Sequence, residues 1–312
     1  MPNALARKPR PRRTRTRTPT PAPELRVEVD SVVLREPQTI RAALEGIDWA
    51  FQDADTGYLS HDVHPYPAKF IPQIPEALIS HLSLRGELVF DPFGGSGTTA
   101  LEAVRLGRRA VCTDANPIGL LVGRVKTARV NASVDTELRA IKSSVLSAIT
   151  DRPPLSRMLE TYREFIPSIP NREKWFPDES TAELALIRDR IARLKASAAR
   201  DIATLALSRV VLRASFQDSE TRYTAKPRVI PRGDTLAAYV EALDDVATNV
   251  AATAAAVRYG VADFVLADTR SLPEDRFPDE SVDLIVTSPP YGNAMDYHLY
   301  HRFRLFWTGH DP

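Results

Sequence analysis

The chain has 312 residues, 43% of them hydrophobic and 26% charged, enough for one large domain or two small ones around a real core. No apolar run approaches bilayer length and no apolar stretch of a secretory leader opens the chain, so no membrane association is expected. The single cysteine, Cys112, excludes an internal disulfide, lies in an apolar run as a small core residue, and fits a cytoplasmic location.

The net charge of +1 hides an asymmetry. Seven of the 41 basic residues (Arg7, Lys8, Arg10, Arg12, Arg13, Arg15 and Arg17) fall in 1–23 with no acid, so the remainder carries 34 bases against 40 acids, a net of −6. This basic, Pro/Thr-rich arm lacks aliphatic periodicity and is expected to be disordered. It suits sequence-blind phosphate contacts, or serves only as a solubilising tail.

Residues 25–34 alternate as a strand would, and 59–76 are rich in proline and histidine, an ordered loop leading into a helix over about 73–83. A strand, Glu87–Phe90, then runs into a glycine-rich turn, Asp91–Gly97, and a helix, Thr98–Leu106, closed by Gly107. Arg109–Thr113 reads as a second buried strand, with a further helix from Pro117. Residues 131–257 differ: apolar spacing of three and four predicts helices over 136–149, 181–213 and 235–257, with a polar connection, 214–234, carrying Arg222, Lys226, Arg228 and Arg232. Strands return at Asp263–Ala267 and Val282–Val286, and a helix is predicted over Asn293–Trp307. The alternation implies an α/β fold with a doubly wound, mainly parallel sheet.

Two segments carry chemistry. In Asp91-Pro-Phe-Gly-Gly-Ser-Gly-Thr-Thr99, the glycines Gly94, Gly95 and Gly97 let backbone approach a ligand, and the helix that follows offers free N–H groups to a carboxylate. No Lys-Ser/Thr follows the glycines, so this is not a phosphate-binding loop. Asp114, at the end of the second strand, is placed to accept bonds from both ribose hydroxyls of a nucleoside-bearing cofactor. Asp268 ends the third strand similarly and is a candidate for an adenine amino group. Each of these acids has an alternative role as a cap or solvated loop residue. In Thr287-Ser-Pro-Pro-Tyr291, two prolines after a strand make a rigid backbone that leaves the Ser288 and Pro289 carbonyls free, and Tyr291 supplies a stacking face.

Together these two motifs resemble those of the amino-methylating DNA methyltransferases, the N4-cytosine and N6-adenine family. His64-Pro-Tyr-Pro-Ala-Lys-Phe70 is similar to a further cofactor-binding motif of that family. The resemblance covers about 60–128 and 260–312. It implies a Rossmann-like methyltransferase sheet and S-adenosylmethionine held by Lys69, Phe70, Asp91, Pro92, Phe93, Gly95, Gly97, Asp114 and Asp268. It also implies catalysis at Ser288, Pro289, Pro290 and Tyr291 on a base flipped from double-stranded DNA. Serine in the first place of the tetrapeptide is typical of cytosine-N4 enzymes, whereas Asp or Asn is usual for adenine-N6. The implied chemistry needs no metal, and His61, His64, His298 and His301 show no ligand spacing.

The implied division is a cofactor-binding half over 24–130, a helical insertion over 131–257 and a catalytic half over 258–312. The insertion is either a DNA-recognition element or a helical brace. The family's sheet has seven strands and the motif order delivers four, so a sheet incomplete on its C-terminal side is expected. A complementing chain and a cognate restriction endonuclease are then candidate partners. Two rivals remain: a methyltransferase acting on guanine amino groups of RNA, and a subunit that binds DNA or cofactor without turnover.

Overall fold

The computed structural model describes residues 36–220, 222–257, 260–290 and 297–311. The basic arm, the strand expected at 25–34 and Tyr291 lie outside the described residues.

Among the described residues four strands form one parallel sheet: β1 (Leu88–Asp91), β2 (Arg109–Asp114), β5 (Ala262–Leu266) and β6 (Leu284–Ile285), in the order β5-β2-β1-β6. β1 is in register with β2 from Leu88↔Arg109 to Asp91↔Cys112, and with β6 at Val89↔Leu284 and Phe90↔Ile285. The chain steps outward from β1 through β2 to β5, then returns to the other side of β1. That reversal puts a crevice at the carboxyl ends of β1 and β6, where open α/β sheets bind ligands. Among the described residues β6 pairs only with β1. The sheet has the doubly wound, parallel character of a Rossmann-like methyltransferase.

Before β1 come α1 (Pro37–Glu45) and α2 (Gln73–Leu82), and between the first strands α3 (Thr98–Arg105). α4 (Pro117–Lys126) follows β2; the Asn116 side chain caps it by accepting from the Ile118 N–H at 3.0 Å. Residues 131–257 hold α5 (Ala132–Asp151), α6 (Leu155–Thr161), α7 (Arg172–Trp175), α8 (Asp178–Ala192), α9 (Ser197–Val210) and α10 (Asp234–Ala256). Their apolar stripes build one core with α4 and with α11 (Tyr297–Thr308), which contributes Phe303, Leu305 and Trp307. A smaller cluster, including Val89, Ala103, Ala110 and Cys112, lies against the sheet.

Three predicted elements are corrected. The helix over 181–213 is two helices, broken where Glu137 accepts from the Lys195 and Ala196 N–H groups. The connection 214–234 contains an antiparallel hairpin, β3 (Gln217–Ser219) and β4 (Arg222–Ala225), seated on aromatic residues rather than solvated throughout. The strand over 282–286 is reduced to Leu284–Ile285, with the Val286 N–H still donating to the Phe90 carbonyl at 3.0 Å.

Candidate active site

The glycine turn is folded by its own neighbours. The Gly94 N–H donates to the Thr113 carbonyl at 2.9 Å, and the Gly97 N–H to the Gly94 carbonyl at 2.7 Å. A Cβ on Gly94 would lie 2.7 Å from Cys112 Cβ, and one on Gly97 would lie 2.6 Å from Gly123 Cα. A side chain at either position would therefore collide with β2 or α4, while the Gly94 backbone also lines the cavity described below. Gly95 differs. Its φ is +47°, and the nearest atom to an added Cβ is 3.7 Å away on the Tyr66 ring. Gly119 completes the fit, because a Cβ there would lie 2.5 Å from the Gly95 carbonyl oxygen.

Asp114 clasps this turn. One carboxylate oxygen accepts from the Gly95 N–H at 2.8 Å and the other from the Asn116 N–H at 2.7 Å. Burial pushes its carboxyl above the usual range, and those N–H groups oppose the shift. Each oxygen keeps acceptor capacity for a second donor. Asp91 is buried at the end of β1 and accepts from the Phe93 N–H at 3.1 Å. Burial raises its carboxyl, against the pull of the Thr287 and Thr99 hydroxyls. Both hydroxyl oxygens are buried and make no hydrogen bond of ordinary geometry.

A cavity of about 580 Å³ opens here, within the size range of small-molecule sites. Asp91, Phe93, Gly95, Asp114, Lys69 and Phe70 line it, as do Asp268, Ser288 and Pro290. Pro92, Gly97 and Pro289 are not on its wall. The Pro92 carbonyl instead accepts from Thr113 and Thr269 hydroxyls at 3.0 and 2.5 Å, tying β1 to the ends of β2 and β5. The Asp268 carboxylate is engaged by the Arg270 guanidinium at 2.5 Å, and those bonds draw it down to about 2. The Lys69 ammonium donates to Asp62 at 2.7 Å and to the His61 carbonyl at 3.1 Å.

Sequence reasoning missed several wall residues, among them Tyr66, Thr99, Asn116, Arg270 and Leu305. Tyr66 carried a signal in the His64–Phe70 motif, and Asn116 in the Asn-Pro pair that opens α4. Leu305 comes from tertiary packing of α11. The motif loop is held from below by Glu102, fully buried, which accepts from the Tyr58 hydroxyl and from His61 Nε2, both at 2.7 Å. Arg105 Nε adds a bond at 2.8 Å. Burial alone would raise the Glu102 carboxyl, but the bond from His61 and the charge of Arg105 hold it below its usual value. Burial lowers His61 to about 4, so a neutral imidazole donates to Glu102. His64 is likewise buried, with Nε2 3.0 Å from the Ser208 hydroxyl.

The cavity occupies the crevice of an open α/β sheet at its topological switch point, and comparison with known proteins shows what the chain is similar to. The DNA methylase family (N6_N4_Mtase) matches residues 36–118, the segment holding the motif loop, glycine turn and Asp114. Type II methyltransferase M.MvaI of Kocuria varians is 26% identical over 266 residues, 81% of this chain and 58% of the relative. Type II methyltransferase M.MjaII of Methanocaldococcus jannaschii is 38% identical over 66 residues, 21% of this chain and 12% of the relative. Type II methyltransferase M2.DpnII of Streptococcus pneumoniae is 39% identical over 77 residues, 23% and 29% respectively. The chain thus spans between 12% and 58% of the relatives it matches. No solved structure matches it significantly. Over these segments the chain is similar to the amino-methylating DNA methyltransferases, a family whose methyl donor is S-adenosylmethionine. No helix among the described residues is long and apolar enough to cross a membrane.

Proposed function

We propose that this protein transfers a methyl group from S-adenosylmethionine to the exocyclic amino group of a base in double-stranded DNA, with cytosine N4 as the acceptor, within a type II restriction-modification system. One observation carries the reading: the Asp114-clasped glycine turn and Ser288 with Pro290 share one cavity at the switch point of the sheet. The donor set fits the cofactor. Asp114 has acceptor capacity for ribose hydroxyls, Phe93 presents a 38% exposed aromatic face to a cation, and Lys69 is a counter-charge for a carboxylate.

When bound, S-adenosylmethionine supplies an electrophilic methyl on a sulfonium. The protein supplies position and electrostatics. An exocyclic amino nitrogen is a poor nucleophile because its lone pair is delocalised into the ring. Ser288 and the Pro289 carbonyl accept its hydrogens, favouring the pyramidal nitrogen and stabilising its developing positive charge. The prolines fix that backbone before the substrate arrives. Tyr291 stacks on the flipped base, and the basic arm adds phosphate contacts without reading sequence. Serine at 288 supports cytosine N4 over adenine N6.

The test is to sequence the DNA of an expressing host for N4-methylcytosine and N6-methyladenine, and to assay labelled cofactor with DNA, RNA or no substrate. N4-methylcytosine at a fixed sequence, lost in Ser288→Ala, is the expected result. N6-methyladenine would reassign the acceptor, and label in RNA alone would overturn the DNA reading.

A further inference from the structure

The hairpin of β3 and β4 was a basic connection in the sequence, and the structure sorts its cations into two kinds. Arg228 Nη2 donates to the Arg213 and Ser215 carbonyls, each at 2.9 Å, closing the C-terminal end of α9. Arg232 donates to the Pro153 carbonyl. These two are structural. Arg222 and Lys226 instead have side chains 74% and 77% exposed. They share the Asp218 carboxylate at 3.6 and 3.7 Å, too long for a hydrogen bond. Between Pro227 and Pro231, Val229 is 90% exposed, the most exposed of the large hydrophobic residues described.

This ribbon is anchored firmly. The Tyr223 ring packs on both Trp175 and Phe303, with centroids 4.4 and 5.6 Å away, those two rings also meet at 5.0 Å, and the Arg302 guanidinium covers Tyr223 at 5.2 Å. Glu220 accepts from Arg304 at 2.7 Å, and the Lys226 N–H donates to the Phe216 carbonyl at 2.6 Å. Phe303 and Arg304 belong to α11, which begins six residues after Tyr291. Leu305 of the same helix lines the candidate active site. The ribbon and the cavity therefore share α11, and a helix with its side chains is about 10–12 Å across. That is the width of a major groove, which also admits a two-stranded β-ribbon.

We propose that the β3–β4 hairpin and the strap 226–231 form the surface that holds duplex DNA beside the flipped base. Arg222 and Lys226 contact phosphates, and Val229, stiffened by its flanking prolines, makes the apolar contact in the groove. The inference rests on the DNA-methylating reading above. Arg222 and Lys226, largely exposed and sharing one carboxylate between them at ion-pair distance, keep charge to offer a phosphate beside a nine-tenths exposed valine on a rigidly seated ribbon.

The experiment uses the full chain and a duplex carrying the wild-type methylation site, with anisotropy titrations between 50 and 200 mM salt. Arg222→Ala/Lys226→Ala is expected to bind S-adenosylmethionine as wild type does. Its log–log salt dependence should be shallower by about 1.8, which narrows the affinity ratio between the two salt concentrations by about 12-fold. Val229→Ser is expected to weaken binding without changing the slope. Lys226→Glu provides a single-site check, with a larger loss than Lys226→Ala at low salt. Wild-type slope and affinity in all four variants would overturn the inference while leaving DNA methylation intact. So would a loss seen only on duplex RNA. A wild-type protein that methylates no DNA would remove the parent reading and this surface together.

Discussion

At the scale of single residues, the glycine turn separates two demands. Gly97 sits at φ +71° with Gly123 Cα in the way of any Cβ, whereas Gly95 at φ +47° faces open space beside Tyr66 and the cavity. Gly97→Ala is therefore expected to lose stability, by about 1–3 kcal/mol from overpacking on top of the left-handed backbone. Gly95→Val also bears the strain of a left-handed backbone at φ +47°, but it is expected to lose cofactor affinity beyond that stability loss, since its side chain enters space shared with the ligand. Melting temperature and calorimetric affinity, measured on both variants, check the pair; equal losses of both properties would contradict the division. Asp114 tests the same point from the other strand. Asp114→Asn keeps the size of the side chain but has one acceptor oxygen for the Gly95 and Asn116 N–H groups, which now occupy two. A charge-assisted bond contributes about 1.5–3 kcal/mol, so the affinity should fall at least tenfold, about 1.4 kcal/mol.

At the scale of elements, the close approach of α4 to the turn depends on Gly119 and Gly123, four residues apart on one helical face. A Cβ on Gly123 would lie 2.3 Å from the Phe264 ring of β5, and one on Gly119 would meet the Gly95 carbonyl. Gly119→Ala is expected to push α4 off the turn and weaken cofactor binding, while Gly123→Ala mainly loosens α4 from β5 and lowers the melting temperature. Calorimetry and thermal melts distinguish them, and identical phenotypes would refute separate roles. These contacts also show what was legible in the sequence. β1, α3, β2 and the start of α4 were readable to within a residue or two, because a buried apolar strand, a glycine turn and an Asn-Pro cap are local signals. The hairpin was not, because β3 and β4 are mostly polar and depend on Tyr223 packing against Trp175 and Phe303. The break between α8 and α9 was hidden too. Residues 193–196 contain no Gly or Pro, and the bend is fixed by Glu137, more than fifty residues earlier.

For the whole molecule, the helices of 131–257 are continuous with the site: α4, which abuts the glycine turn, and α11, which supplies Leu305, share their core. Where these parts meet, three histidines are buried: His61, His64 and His301. Burial lowers His61 to about 4 and His301 to about 3, and holds His64 well below its usual 6.5. His301 makes no hydrogen bond through either ring nitrogen and packs against Tyr66 at 5.0 Å between centroids. The sign follows from proton counting. Below pH 6.5 the unfolded chain protonates these imidazoles and the folded protein does not, so stability rises with pH through this window and falls on acidification. Each histidine contributes up to about 1.4 kcal/mol per pH unit until its folded value is reached. Glu102, held low, adds to acid sensitivity below its ordinary 4.5. Asp91 and Asp114, raised by burial, act in the opposite sense, since the fold favours their protonated forms. Their opposing contribution falls between 3.8 and their raised folded values, whereas the three histidines begin to act at 6.5. His301→Phe isolates the effect. A phenyl ring keeps the contact with Tyr66, removes two buried nitrogens without partners and takes up no proton in the unfolded state. Its unfolding free energy, measured by denaturant titration at pH 8 and pH 5.5, should fall less between the two than that of the wild type, whatever the cost of fitting the larger ring. An unchanged difference between the two pH values would mean that His301 is protonated equally in the folded and unfolded states, and that its burial does not set its charge.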